Sequence, residues 1–110
     1  MDARAKQRVA MNESTFRRVN EGMEAGQSAD GLLAFMCECG RLGCNQMMEL
    51  TRAEYEAVRS NPRTFAVLEG HELPEVEDVV GRTERYLVVE KSGDPEADVV
   101  ERTDPRRPLD

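Results

Sequence analysis

Three cysteines, Cys37, Cys39 and Cys44, fall within eight residues, and the 110-residue chain has no others. They read C-x-C-x4-C in the stretch FMCECGRLGCNQ, with Gly40 and Gly43 inside the loop. Thiols this close must be arranged by one tight turn, and two glycines give the backbone the freedom to fold back at low steric cost. A clustered, odd set of cysteines favours metal or thiol chemistry over structural disulfides. Zn²⁺ takes four soft or borderline donors in a tetrahedron, most often thiolates with or without an imidazole.

Three corners are therefore spoken for, and the chain contains one histidine to fill the fourth. His71 lies in EGHE, directly after the apolar run TFAVL, with Gly70 beside it. If TFAVL pairs near the cysteine hairpin, the imidazole arrives at the open corner. Glu38, Glu72 or water are the alternative fourth donors, while free or redox-active thiols and another metal are the alternatives to zinc as a whole. One Cys3His iron–sulfur pattern also begins C-x-C, but its third cysteine is distant and its histidine follows closely, the reverse of the spacing here.

Three thiolates and a histidine saturate the ion, whereas a catalytic zinc keeps one position open. Without His71 no Ser-His-Asp set is possible. GRLG lacks both the spacing and the Lys-Ser/Thr partner of a phosphate loop. The expectation is a protein that is not an enzyme.

Size makes a metal useful. A chain this short supports one modest core, and with aromatics at 5% and no tryptophan that core must be built mostly from Val, Leu and Met. Net charge is −7, unevenly spread. Residues 1–19 carry Arg4, Lys6, Arg8, Arg17 and Arg18 against Asp2 and Glu13, while residues 69–101 carry eleven acids against Arg82, Arg85 and Lys91. An acidic body argues against nucleic acid as the main partner and favours a basic protein surface, or simply solubility. MDARAKQRVAMNE lacks the apolar stretch of a leader, and no run approaches the ~18 apolar residues of a membrane span. A cytoplasmic location and no membrane contact are expected.

Residues 2–24 predict a long helix. Ala5, Val9, Asn12, Phe16, Val19 and Met23 recur at alternating spacings of four and three, an a/d-like seam. The helix either lies on its own sheet or associates with a partner helix or a second copy through Val9, Asn12, Phe16, Val19 and Met23. Next come two strands flanking the cysteines, LLAFMC (32–37) and NQMMEL (45–50). Thr51 with Glu54 is a capping box for a short helix stopped at Asn61-Pro62. TFAVL (64–68) and YLVVE (86–90) predict strands. Residues 76–82 could be strand or helix, with valine enrichment favouring a hairpin through GRTE. SGDPEA reads as a turn, DVVER as a last edge strand, and 103–110 as a fraying tail. The expected class is α+β: a long N-terminal helix (1–24), then a zinc-stapled domain (32–102) with a small antiparallel sheet, a zinc knuckle and one short helix.

NESTFRRVNE, the CEC…C cluster, LTRAEYEAVRSNPRTFAVLEGHELPEVEDVV and YLVVEK together resemble a group of small bacterial proteins, chiefly actinobacterial, with no assigned activity. The likeness spans residues 5–91, with Glu69-Gly70-His71 where a PGH turn is expected. It implies Cys37, Cys39, Cys44 and His71 as one unit and implies no activity. The combined expectation is a zinc-binding, non-enzymatic adaptor or regulatory protein that makes protein–protein contacts. A thiol switch that releases zinc on oxidation is the alternative, and a nucleic-acid-binding regulator a weaker one.

Overall fold

β3 (Thr64–Val67) is buried on both of its faces and divides the core in two. Side chains alternate along a strand, so Phe65 and Val67 join Ala10, Cys37, Cys39, Leu87, Val89 and Val100 on one side. Ala66 faces Leu33, Phe35, Met48, Leu50, Tyr55 and Val58 on the other. The computed structural model describes residues 1–28 and 30–108. Around β3 it places α1 (Ala3–Gly26), β1 (Leu32–Met36), β2 (Met47–Thr51), α2 (Arg52–Arg59), β4 (Glu77–Arg82), β5 (Leu87–Lys91) and α3 (Asp94–Arg102). The class is α+β.

Not one sheet but two are present: an antiparallel β1-β2 ribbon and a three-stranded antiparallel sheet in the order β3-β5-β4. In the ribbon Leu33 faces Leu50 and Phe35 faces Met48, and Phe35 stacks on Tyr55 of α2 with centroids 4.3 Å apart. Within 76–82 the answer is strand: β4 runs over Glu77–Arg82, with a bulge between Val79 and Gly81 and Val76 in the turn before it. α2 begins with the expected capping box, Thr51 accepting from the Glu54 amide and Glu54 from the Thr51 amide.

A second short helix replaces the expected last strand. Residues 94–102 form α3, capped by Gly93, with Pro95 and the acids Asp94 and Glu96 in its first turn and Arg102 in its last. These are helix-start and helix-stop signals, and they outweigh the β-branched pair Val99-Val100 that suggested a strand. Ala97 and Val100 make its buried face.

α1 docks on this body through a polar stripe. Ala10, Glu13, Ser14, Arg17, Asn20 and Glu24 are its buried residues, whereas Val19 of the apolar seam is 42% exposed. Each buried polar group has a specific use. Arg17 donates to the Pro62 and Val100 carbonyls at 2.7 and 2.6 Å and lies over the Phe65 ring. Asn20 accepts from the Met36 amide at 2.7 Å and donates to its carbonyl at 2.8 Å. Seven residues on, at the C-cap, Gln27 does the same for Ala34 at 3.0 and 2.8 Å. Two side-chain amides thus complete the ladder along β1, covering an edge that would otherwise stay unpaired. The segment after α3, read from sequence as a tail, is held as well. Arg59 pairs with Asp104, and Arg106 reaches Glu21, Glu24 and Glu56. Leu109 and Asp110 lie outside the described residues.

Glu13 of α1, Glu77 of β4 and Lys91 of β5 form a fully buried trio, with Lys91 Nζ 2.7 Å from Glu13 and 3.8 Å from Glu77. One cation cannot neutralise two carboxylates. Burial, then the neighbouring Glu77 charge, hold the Glu13 carboxyl well above the usual carboxylate range despite Lys91. The folded state therefore keeps a proton on Glu13 that the unfolded chain has released. Because the native state binds more protons in that window, this contribution is full below the unfolded carboxylate range and is lost as pH rises through the raised folded value, by up to about 1.4 kcal/mol per pH unit. Glu13→Gln carries a permanent donor there. Urea midpoints followed across pH should show the wild-type protein losing stability relative to Glu13→Gln as pH rises from mildly acidic; parallel curves would refute the shared proton.

Candidate metal centre

The alternation of an extended chain explains the C-x-C spacing. Beyond β1 the backbone stays extended, so Cys37 and Cys39 point to one side and Glu38 to the other. Two hydrogen bonds hold this segment between its neighbours: Cys37 N–H donates to the Gln46 carbonyl and Glu38 N–H to the Ala66 carbonyl, both at 2.9 Å. Glu38 is fully buried, accepting from Asn20 Nδ2 (2.9 Å), Tyr55 Oη (2.7 Å) and the Ala66 amide (3.0 Å). It faces away from the thiols, so it is not a fourth donor.

The chain then turns through Arg41, Leu42 and Gly43. The Cys44 amide donates to the Arg41 carbonyl at 3.2 Å, and Gly43 takes φ +84°, a region that costs other residues a side-chain clash. Cys44 comes back beside the first two thiols. After β3 a second turn delivers the imidazole. His71 N–H donates to the Leu68 carbonyl at 3.0 Å, Gly70 adopts φ +88°, and Arg41 donates to the Gly70 carbonyl at 3.4 Å, tying the two turns together.

His71 Nδ1 stands 3.6, 3.7 and 3.6 Å from the sulfurs of Cys37, Cys39 and Cys44. All four donor atoms lie within 4.8 Å of one another, and the three cysteines are unbridged. Zinc bond lengths of about 2.3 Å to sulfur and 2.0–2.1 Å to nitrogen give a regular tetrahedron N···S edges of about 3.6 Å. The donor set fits a tetrahedral ion in chemistry and in spacing. Cys37 and Cys39 are buried, while Cys44 and His71 are partly exposed.

Amides point at the sulfurs, an outer shell that favours the thiolate form. The Leu68 N–H donates to Cys37 Sγ at 3.2 Å. Cys37 is pulled down chiefly by the Cys39 thiol donating to it, with help from the Leu68 and Cys39 amides. Cys39, the donor of that pair and buried, is pushed up, the Arg41 amide opposing the shift. A bound divalent ion takes the place of the shared proton.

Sequence reasoning missed the part played by α1, which lies directly across the knuckle. Asn12 donates to the Gly40 carbonyl at 3.1 Å. A Cβ on Gly40 would sit 2.3 Å from Val9 Cγ1 and 2.9 Å from the Val9 carbonyl oxygen. Gly40 is thus required for close approach of the helix and not, as its place in the loop suggested, for the turn. Its φ is ordinary, so no conformational signal marked it out. Gly40→Ala should lower stability by about 1–3 kcal/mol through overpacking. Val9→Ala should recover only part of that loss, because the carbonyl contact remains. A double-mutant cycle on denaturation midpoints checks this, and strict additivity would rule out the contact.

No protein-family model, no curated protein and no solved structure matches the chain.

Proposed function

We propose that the chain is a small zinc-binding protein without catalytic activity, an adaptor or regulator acting in the cytoplasm through protein–protein contacts. The observation that carries the zinc assignment is the set of near-equal distances from His71 Nδ1 to three cysteine sulfurs. Thiolate-rich sites select soft and borderline ions, and four protein donors leave no position for water or substrate. A saturated zinc with several thiolates is a weak Lewis acid, which supports a structural rather than a catalytic ion.

A clamp of this kind suits the chain. It joins the turn after β1 to the turn after β3, against one half of a core that has few aromatic side chains. Structural zinc contributes about 10–16 kcal/mol in small zinc modules, comparable to the ~5–15 kcal/mol stability of a whole domain. The contacts to partners are assigned to α1 and the acidic surface. Along the seam, Val19 is open at 42% exposure, while Asn12 is engaged with Gly40. No described helix is long and apolar enough to cross a membrane.

Metal analysis of protein purified without added metal should find about one zinc per chain. Cys39→Ser should lose that zinc together with the cooperative thermal transition. A Cys39→Ser protein that keeps both its zinc and its melting midpoint would sink the structural-zinc reading.

A further inference from the structure

A groove of about 550 Å³ runs between the N-terminal half of α1 and the tip of the cysteine loop. That volume lies within the ~300–1,000 Å³ typical of sites that bury a ligand. Of the eight large apolar side chains that are exposed among the described residues, three line it: Met1, Met11 and Leu42. Leu42, at the tip of the loop between Cys39 and Cys44, is 93% exposed. None of the described residues covers it.

The rim has a definite sign. Arg4 and Arg8, one helical turn apart, both line the groove. Most other arginines of this protein hold a carboxylate or a backbone carbonyl, Arg52, Arg59, Arg63, Arg82, Arg85, Arg102 and Arg106 all in ion pairs. Among the described residues neither Arg4 nor Arg8 has an acidic partner, in a chain with 22 acids and 15 bases. The Asp2 carboxylate caps α1 and accepts from the Ala5 amide at 2.7 Å, so the sign of the rim comes from Arg4 and Arg8 themselves and not from the helix end.

We propose that this groove is the docking site of an acidic peptide segment of a partner protein, one that inserts an apolar side chain against Leu42 and Met11 while its carboxylates meet Arg4 and Arg8. The inference rests on the adaptor reading above and names the partner's chemistry. Exposed apolar surface gathered in one place marks an interaction site, and interfaces concentrate their affinity in an apolar anchor ringed by polar contacts. Complementary charge then selects the partner and speeds its arrival. An apolar floor with two arginines suits an amphipathic peptide better than a nucleic-acid backbone, which asks for a broader positive track. Because Leu42 sits between two of the zinc donors, the ion also fixes one wall of the groove.

The test is fluorescence anisotropy on the zinc-loaded full chain. The probe is a labelled peptide in which leucine and phenylalanine are interspersed with glutamates, compared with its lysine-for-glutamate counterpart. The acidic peptide should bind about tenfold or more tightly than the basic one, and more weakly as salt is raised. The double variant Arg4→Glu/Arg8→Glu and the single variant Leu42→Ser should each lose about tenfold in affinity, while Arg107→Glu, remote from the groove, should not. All of these positions are exposed, so zinc content and melting midpoint, read on the same samples, should stay at wild-type values. Equal binding of both peptides, or affinity unmoved by the groove variants, overturns the proposal. So does tighter binding of a labelled DNA duplex at the same salt, or a dimer of the protein alone that the groove variants dissolve. A protein without zinc refutes the metal assignment, whereas a zinc-loaded protein that ignores the peptide refutes the docking site alone.

Discussion

Glu38 has its carboxylate buried among three donors, from α1, α2 and β3, and the arrangement of the two neighbouring cysteines follows from that anchorage. A buried carboxylate is costly unless its oxygens are satisfied. Here the satisfaction comes from Asn20, Tyr55 and the Ala66 amide, so the side chain can point in only one direction. Alternation along the extended backbone then turns Cys37 and Cys39 the opposite way, toward His71. The same residue's amide bonds to β3, which sets the register between the cysteine segment and the strand that leads to the histidine. Ligand geometry and core packing are two sides of one short extended segment.

The interior is unusual in how much of its adhesion is polar. Arg17, Asn20 and the Glu13–Glu77–Lys91 trio join α1 to backbone and side chains 16 or more residues away in sequence. Buried hydrogen bonds of this kind add little net stability each, yet leaving one member unpaired costs about 1–3 kcal/mol. They therefore specify one docking of the helix more than they strengthen it. A closed metal clamp complements such a core, because it supplies free energy that a few valines and leucines cannot.

Much of this was legible in the residues. Three cysteines, two glycines and a solitary histidine pointed to one cluster, since few side chains can share so small a volume without an ion between them. Thr51 and Glu54 announced α2 and YLVVE announced β5, whereas valine enrichment favoured a strand at β4 without deciding between strand and helix. Four features were hidden for physical reasons. The apolar seam of α1 gave the wrong buried stripe, because the groups that dock it are polar and satisfied by backbone atoms no sequence pattern displays. α3 was masked by Val99-Val100, whose strand preference is weaker than the capping and charge signals around them. The split into two sheets was illegible because it depends on Glu38 bonding to β3 through a single backbone step rather than a full ladder. The crowding of Gly40 against Val9 likewise has no local signature, being a contact between residues thirty-one positions apart.

The side-chain ladder of α1 bears on the order in which the chain can mature. Arg17 waits for the carbonyls of Pro62 and Val100, Ser14 for Thr103, and Glu21 for Arg106. Within this sequence α1 comes before the segments it docks against, and it is among the last elements to find its partners. Long sequence separation slows folding. Without α3, Arg17 would keep only the Pro62 carbonyl of its two backbone acceptors and Ser14 would lose Thr103, so the seating of α1 depends on the opposite end of the fold having formed.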